Sequence, residues 1–256
     1  MTITTNKTAI VSLAIGDYNP MIDLTWPLII DYAKRVNSDY ILIDHPHMNL
    51  KDVGFEKYYL GEIINEYDRI LYLDIDIIVK PNCPNMFEVF SEIDNFYAFI
   101  EDQYFFVNPV VDRQESIQKS QEILGNIGWN FGYFNSGVML FGKKHANLFD
   151  IPKKYVTDMR EQTQLNYDCK RLGIWVNDIG LRYNKMDFIN PLDRFDAHMI
   201  HYAGRGFTDK WNDLAAKVQQ MKQDLNLLKL LPVKESIILT NNKPGSKSQI
   251  LFQGKN

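Results

Sequence analysis

The sequence predicts an α/β protein, a single domain in which helices flank a mainly parallel central sheet. Strand and helix patterns alternate through the first eighty residues in the order strand, helix, strand, helix, strand. That order is typical of parallel strands joined by right-handed crossovers. The third strand, residues 70–79, is apolar almost throughout, which indicates a strand buried on both faces.

Hydrophobic periodicity locates the individual elements. Near the N-terminus it predicts strands at residues 9–14, 40–43 and 70–79, and helices at 21–36 and 55–67. Pro27 should kink or split the first helix, because proline has no amide N–H and its ring crowds the preceding turn. Further along, the pattern predicts strands at 96–100, 134–141, 174–176 and 198–203, and helices at 112–124 and 152–171.

The last part of the chain has a different character. Residues 1–211 should form the α/β domain, and residues 212–256 a C-terminal helix and polar tail packed on it or extending from it. The helix, at 211–228, has apolar residues at three- and four-residue steps, so it could also form a homodimer seam. Its short pattern favours packing against the domain. Pro232 should end the helix, and residues 233–256 are expected to be partly disordered.

Composition and charge narrow the functional classes. The 256 residues have a formal net charge of −4, so no broad basic surface for nucleic acid is expected. The cysteines, Cys83 and Cys169, fit no zinc or redox spacing, which favours a reducing compartment. The polar N-terminus lacks a signal-peptide core, and no apolar segment is long enough to span a bilayer, so we expect a cytoplasmic location.

Two carboxylates, Asp74 and Asp76, interrupt the apolar run at residues 70–79. Side chains alternate along a strand, so both should point to the same side. Such close carboxylates repel each other unless a cation lies between them, and hard divalent cations share oxygen ligands of this kind with phosphates. Because ligands of open α/β sheets bind beyond the carboxyl ends of strands, the pair predicts a metal site for a phosphorylated ligand. The alternative is a strand end with two solvated aspartates.

Three further polar segments accompany the carboxylates. His201 ends a predicted strand, where an imidazole could complete the metal site, whereas His198 should face the other side. Oxygen and imidazole ligands together point to manganese more than to calcium. Gly137 interrupts another strand and would let a ligand approach the backbone, or would mark a bulge. Gln162 begins a polar helical run that by itself indicates only a solvated face.

These segments resemble, in their order, the motifs of the retaining glycosyltransferases of family 8, the glycogenin and bacterial galactosyltransferase group. The resemblance covers roughly residues 8–211. It implies a GT-A (Rossmann-like) fold and transfer of a sugar from a nucleotide-diphosphate donor, with UDP as the expected nucleotide. It also implies a glycan or other hydroxyl acceptor, retention of configuration, and dependence on Mn²⁺, with Mg²⁺ as the alternative ion.

The resemblance also implies roles for individual residues. Asp74 and Asp76 match the D-x-D that binds metal and donor, and His201 matches the third protein ligand of the metal. Gln162 matches a glutamine beside the anomeric carbon, where its carbonyl would stabilise positive charge. Asn135 and Gly137 match residues near the donor sugar, with Asn135 and Gln162 both counted as catalytic. Further donor contacts are implied for Ala14, Ile15, Asp17 and Tyr18 in the loop after the first strand, for Lys57, and for Gly204.

The chain departs from the family pattern in two places. After Gly204 the expected lysine comes late and lacks its following proline, so either Lys210 or Arg205 could neutralise the diphosphate, and Lys210 is taken as the catalytic cation. Glu161 and Thr163 replace the aspartates that flank the glutamine. In a helical turn Glu161 would point about a hundred degrees away from its neighbour, which makes it a poor general base.

Two other functions remain open from the sequence. A haloacid-dehalogenase-type phosphatase has a D-x-D-x-[TV] motif after an apolar strand, and residues 74–78 come close to it. However, that motif normally lies on the first strand, and position 78 is Ile. A protein that binds a nucleotide sugar without turnover is the second alternative.

Overall fold

The computed structural model describes residues 6–50, 52–104 and 113–230. Within these residues a six-stranded sheet has the order β2-β1-β3-β6-β5-β7, and a two-stranded sheet joins β4 to β8. The strands are β1 (Thr8–Leu13), β2 (Asp39–Ile43), β3 (Arg69–Leu73), β4 (Ile77–Val79), β5 (Phe96–Ile100), β6 (Phe134–Gly142), β7 (Val176–Asp178) and β8 (Met199–His201). In the large sheet every strand but β6 runs in the same direction. The predicted α/β class with a mainly parallel sheet is confirmed.

The helices largely follow the predicted pattern. They are α1 (Asn19–Arg35), α2 (Leu60–Ile63), α3 (Met86–Val89), α4 (Gln114–Leu124), α5 (Arg160–Arg171) and α6 (Leu214–Leu227). Pro27 lies inside α1 without splitting it. The predicted start of α4 at residue 112, the end of the last helix at Pro232 and the tail at 233–256 lie outside the described residues.

Two predicted helices are much shorter in the structure. The segment 55–67 is mostly 3₁₀-helical, at Val53–Tyr59 and Ile64–Glu66, with a single α-turn between these parts. The helix predicted at 152–171 begins only at Arg160, because Met159 and Arg160 have left-handed φ values of 50° and 49°. Non-glycine residues rarely adopt that conformation, and a right-handed helix cannot continue through it.

The prediction of one strand over residues 70–79 is wrong. β3 ends at Leu73, a turn carries both aspartates, and β4 then pairs with β8 in the separate sheet. The backbone hydrogen bonds explain the break: Asp74 N–H donates to Gly137 O at 2.8 Å, whereas the carbonyl oxygen of Asp76 accepts from Tyr202 N–H at 2.9 Å. The chain therefore leaves the large sheet between the two aspartates.

Apolar layers cover both faces of the large sheet, as the alternation of side chains along its strands requires. Leu71 and Leu73 of β3 belong to one layer with α1, β4 and β8, and Ile70 and Tyr72 belong to the opposite layer with α2 and α5. The buried apolar residues of α6 (Val218, Met221 and Leu225) lie in the first layer. The last helix therefore packs in the same core as β4, and a domain boundary near residue 211 stays a prediction.

Among the described residues, none of the helices has the length and apolar character needed to cross a membrane.

Candidate metal and donor site

Two carboxylates and an imidazole converge where β3 ends. Asp74 and Asp76 flank the turn after β3, and His201 ends β8, which pairs with β4 directly after the turn. His201 Nε2 lies 3.1 Å from Asp76 Oδ1 and 3.7 Å from Asp74 Oδ2. One ligand atom from each of the three residues fits within 4.8 Å of the others. His198 lies apart, with its ring 5.1 Å from that of Tyr183.

Gly137 of β6 forms the floor of this group. A Cβ at this position would lie 2.3 Å from His201 Cε1, 2.8 Å from Asp74 Oδ2 and 2.9 Å from Asn135 Oδ1. All three distances are below ordinary van der Waals contact, so any other residue would push the imidazole or the carboxylate aside. Glycine is therefore required here because other groups approach the backbone closely.

Lys57 neutralises one side of the group. Its Nζ lies 3.0 Å from Asp74 Oδ1 and 3.1 Å from Glu161 Oε1, and it also donates to Ser136 Oγ at 3.1 Å. Burial alone would lower the pKa of Lys57, but the charges of Asp74 and Glu161 outweigh this and raise that pKa above its ordinary value. Tyr72 completes the surroundings of Asp74 by donating its hydroxyl to Oδ1 at 2.8 Å.

Lys217 approaches the other carboxylate from the last helix. Its Nζ lies 3.5 Å from Asp76 Oδ2, and the lysine is 9% exposed. Burial alone would raise the pKa of Asp76, but the neighbouring His201 and Lys217 side chains hold it well below its usual range. Each aspartate thus has its own buried ammonium group in addition to the shared imidazole.

A network of buried amides lies next to the carboxylates. Asn135 Oδ1 accepts from Gly137 N–H at 2.9 Å and from Asn184 Nδ2 at 3.0 Å. Its Nδ2 donates to Gln162 Oε1 at 3.0 Å and to Glu101 Oε1 at 3.1 Å. All the hydrogen-bonding positions of the Asn135 amide are therefore taken by protein groups.

The orientation of Gln162 differs from the one inferred from the sequence. Its carbonyl oxygen accepts from Asn135 Nδ2 and, at 3.1 Å, from Ser136 N–H, so both lone-pair directions are occupied. The role of this carbonyl beside a cationic sugar therefore stays a prediction. The amide Nε2 makes one longer bond, at 3.3 Å, to the hydroxyl of Tyr133.

Of the other predicted donor residues, only Tyr18 is linked to the carboxylates in the described structure. Tyr18 lies within electrostatic range, because burial and then the charges of Asp76 and Asp74 raise the pKa of its phenol. In the same loop Ala14 is buried, Ile15 is half-buried and Asp17 is exposed. Gly204 adopts a left-handed φ of 57°, and a Cβ there would lie 3.1 Å from the exposed ring of Trp211.

The two cations expected at the diphosphate lie outside this group. Lys210 is exposed, and its Nζ is 3.4 Å from Asp213 Oδ2. Arg205 is exposed as well and lies 3.6 Å from Asp187 Oδ2. Neither side chain has a contact with Asp74 or Asp76 among the ion pairs of the described residues, so the position beside the carboxylates belongs to Lys217 instead.

Sequence reasoning missed several residues of the site or gave them no place in it. Only Tyr72 carried a usable signal, because it lies two positions before Asp74 and so could share its side. Glu101, Asn184 and Lys217 belong to none of the sequence motifs. Glu161 does lie in a motif, but it was treated only as a replacement for an aspartate and as a poor base. The missed residues are Tyr72, Glu101, Glu161, Asn184 and Lys217.

Known proteins share this fold. A glycosyltransferase involved in the glycosylation of the major capsid of PBCV-1 has a TM-score of 0.59 at 15% identity, over 85% of this chain and 99% of that one. The bifunctional glycosyltransferase WbbM has a TM-score of 0.58 at 14% identity, over 90% of this chain and 53% of WbbM. The sequence profile of glycosyl transferase family 8 matches residues 32–214. No curated protein matches the sequence.

These similarities identify the class of the protein. At such low identities the structures show the fold alone, which is the GT-A fold of glycosyltransferases. The family profile covers more than half of the chain, and the chain therefore belongs to glycosyl transferase family 8. The protein is a glycosyltransferase.

Proposed function

We propose that the protein transfers a sugar from a nucleotide-diphosphate sugar to a hydroxyl group of a glycan or similar acceptor. The first candidate for the nucleotide is UDP. Transfer retains the anomeric configuration and depends on a divalent metal ion, with Mn²⁺ preferred over Mg²⁺. The observation that carries this proposal is the convergence of Asp74, Asp76 and His201 on one point beside two buried lysines. Family membership supports the donor and acceptor classes.

The three converging residues suit a divalent cation. Two carboxylates and one imidazole form a mixed oxygen and nitrogen donor set, which suits Mn²⁺. Their ligand atoms lie within 4.8 Å of one another, and the absence of a side chain at Gly137 lets His201 and Asp74 come this close. A metal bound there would act as a Lewis acid toward the departing diphosphate.

Two lysines supply fixed positive charge at the same place. Lys57 and Lys217 are both buried, so their ammonium groups are held in position before a donor arrives. Charge that is preorganised in a site of low dielectric stabilises a leaving group more than mobile charge in water does. Lys217 thereby takes the part that the sequence assigned to Lys210.

The donor sugar is proposed to lie over Asn135, Gly137 and Gln162. Since protein groups occupy the carbonyl of Gln162, this residue would offer its amide N–H to a sugar or phosphate oxygen. Glu161, held against Lys57 at 3.1 Å, presents a carboxylate at the same edge and could accept hydrogen bonds from sugar hydroxyls. The loop with Tyr18 is proposed to hold the nucleoside.

The decisive experiment incubates the protein with a panel of nucleotide sugars in the presence of Mn²⁺, Mg²⁺ or EDTA and measures release of the nucleoside diphosphate. We expect release from one or a few donors, which EDTA abolishes and Mn²⁺ restores best. Asp76→Asn should lower turnover roughly a hundred- to a thousandfold. Its melting temperature should fall somewhat, because Lys217 loses its counter-charge, so turnover is compared at a temperature at which the variant is folded.

Different results identify the alternative functions. Hydrolysis of a generic phosphate ester with Mg²⁺, without donor cleavage, would indicate a phosphatase. Tight binding of a donor without release of diphosphate would indicate a binding protein. Wild-type turnover by Asp76→Asn would contradict the metal site.

A further inference from the structure

Asn184 connects the proposed metal site to the buried amides. It is fully buried in the described structure, in the segment that precedes β8. Its Oδ1 lies 2.7 Å from His201 Nδ1, and its Nδ2 donates to Asn135 Oδ1 at 3.0 Å. One amide thus contacts a proposed metal ligand on one side and a proposed donor-sugar residue on the other.

Backbone donors fix the direction of each bond in this chain of amides. Gly137 N–H can only donate, so the Asn135 atom that it meets must be the carbonyl oxygen. That oxygen needs a donor from Asn184, which turns the NH₂ group of Asn184 toward Asn135 and its oxygen toward His201. An oxygen acceptor opposite Nδ1 requires that His201 carries a hydrogen on Nδ1.

The consequence concerns the other imidazole nitrogen. In a neutral ring with its hydrogen on Nδ1, Nε2 has a free lone pair. Nε2 is the nitrogen that lies 3.1 Å from Asp76 Oδ1 and 3.7 Å from Asp74 Oδ2. Asn184 therefore directs Nε2 at the carboxylates, where either a proton on Nε2 or a bound metal cation makes the short contacts favourable. Partners of this kind hold the ring and the tautomer of many metal-binding histidines.

The other end of the chain reaches Gln162. Ser136 N–H marks the Gln162 acceptor as the carbonyl oxygen, and Asn135 Nδ2 donates to the same atom. The order His201, Asn184, Asn135, Gln162 is thus a series of hydrogen bonds in which each donor and acceptor is determined. We propose that Asn184 is a positioning residue. It orients His201 so that Nε2 can bind a metal ion, and it fixes the positions of Asn135 and Gln162 relative to the metal site.

This inference rests on the proposed function, and two substitutions of Asn184 separate its two contacts. Asn184→Asp keeps an acceptor for His201 Nδ1 but places a carboxylate oxygen against Asn135 Oδ1. Asn184→Ala removes both contacts. Asn177→Ala is the control, because Asn177 is a half-buried asparagine of β7 whose amide bonds the backbone oxygen of Phe96 at 3.2 Å.

Mn²⁺ binding is measured by the loss of the free-ion electron paramagnetic resonance signal during titration of the protein. Loss of a partner that orients a ligand typically weakens metal binding about 10- to 100-fold, and we expect that loss for Asn184→Ala. Asn184→Asp should bind Mn²⁺ like the wild type but lose kcat in donor hydrolysis, and Asn177→Ala should change neither. Wild-type Mn²⁺ affinity of Asn184→Ala, or wild-type kcat of Asn184→Asp, would overturn the proposal.

The tautomer gives a readout that is independent of turnover. Long-range ¹H–¹⁵N spectra of ¹⁵N-histidine-labelled, metal-free protein at alkaline pH distinguish a hydrogen on Nδ1 from one on Nε2, and His201→Gln identifies the signals. We expect the Nδ1–H form in the wild type and in Asn184→Asp. These two spectra test the tautomer of His201 even if Asn184→Ala does not fold. An Nε2–H form in the wild type would refute the inference, whereas failure of all donor turnover would refute only the proposed function.

Discussion

The ammonium group of Lys217 lies 3.5 Å from a carboxylate oxygen of Asp76, although the two residues are far apart in the chain. The last helix makes this contact possible because it packs in the same apolar layer as β4, directly after Asp76. Two turns beyond Lys217, the carboxylate of Asp224 accepts a 2.7 Å hydrogen bond from Tyr202, the neighbour of His201. The helix therefore contacts the site region at two points, at Asp76 through Lys217 and at Tyr202 through Asp224.

Lys217→Met tests the catalytic importance of this contact. Methionine keeps most of the buried volume but removes the charge, so the protein should fold while kcat for donor hydrolysis falls roughly a hundred- to a thousandfold. Lys222→Met is the control, because Lys222 is an exposed lysine of the same helix. Equal activity of the two variants would show that the charge of Lys217 does not act on the leaving group.

Gly137→Ala should damage the metal site directly. The new methyl group would lie 2.3 Å from His201 Cε1, so the imidazole or the backbone must move. Mn²⁺ affinity should therefore fall at least about tenfold, the loss that is typical when a residue that orients a metal ligand is removed. Calorimetric titration of Mn²⁺ in the presence of UDP measures this affinity. Gly173→Ala serves as the control, since its φ of 68° makes alanine strained but nothing lies within 4 Å of the new atom. A similar loss of Mn²⁺ affinity in both variants would point to general destabilisation.

Asp224 should be a main anchor of the last helix. The side chain is fully buried and accepts from Arg194 at 2.8 and 2.9 Å, from Tyr202 at 2.7 Å and from Gln220 at 2.9 Å. Asp224→Asn leaves the partly exposed Arg194 without its counter-charge, which should lower the free energy of unfolding by about 1–3 kcal/mol. Urea unfolding followed by circular dichroism gives the value. Glu115→Gln, which breaks an exposed pair with Lys119, should change little, and a similar small change for Asp224→Asn would contradict the assignment.

The sequence was sufficient for the fold class and for the centre of the site. Buried strands such as β1 and β3 are short and apolar on both faces, and their periodicity differs clearly from that of α1 and α5. The carboxylate pair converges as expected, but for a different reason, because a turn rather than a continuous strand brings Asp74 and Asp76 together. A spacing of two residues is compatible with both geometries, so the pattern could not distinguish them.

The missed residues show what a pattern along the chain cannot reveal. Asn184 and Lys217 belong to no local motif, and their places in the site depend on how β8 and α6 pack in three dimensions. The family motif after Gly204 led to Lys210 or Arg205, and in the structure Lys210 pairs with Asp213 instead. The packing of α6 in the core is what brings Lys217 to Asp76, and no local sequence pattern shows it.

The last prediction concerns stereochemistry: the product should keep the anomeric configuration of the donor. Inversion needs a carboxylate that is free to take the acceptor proton. Of the described carboxylates that the structure links to the Gln162 region, Glu161 lies 3.1 Å from Lys57 Nζ, and Glu101 lies 2.6 Å from Arg113 Nε. Both are engaged in buried ion pairs, so attack from the face of the departing phosphate is favoured, with a phosphate oxygen accepting the proton.

Proton NMR of the first sugar released from slow donor hydrolysis, recorded before mutarotation, shows the configuration. Glu161→Gln and Gln162→Ala should both lower turnover yet leave retention unchanged, because neither side chain serves as a base. An inverted product from the wild type would require a free carboxylate. If Glu161→Gln then abolished turnover while Gln162→Ala did not, Glu161 would be that base, and its ion pair with Lys57 would have to open during the reaction.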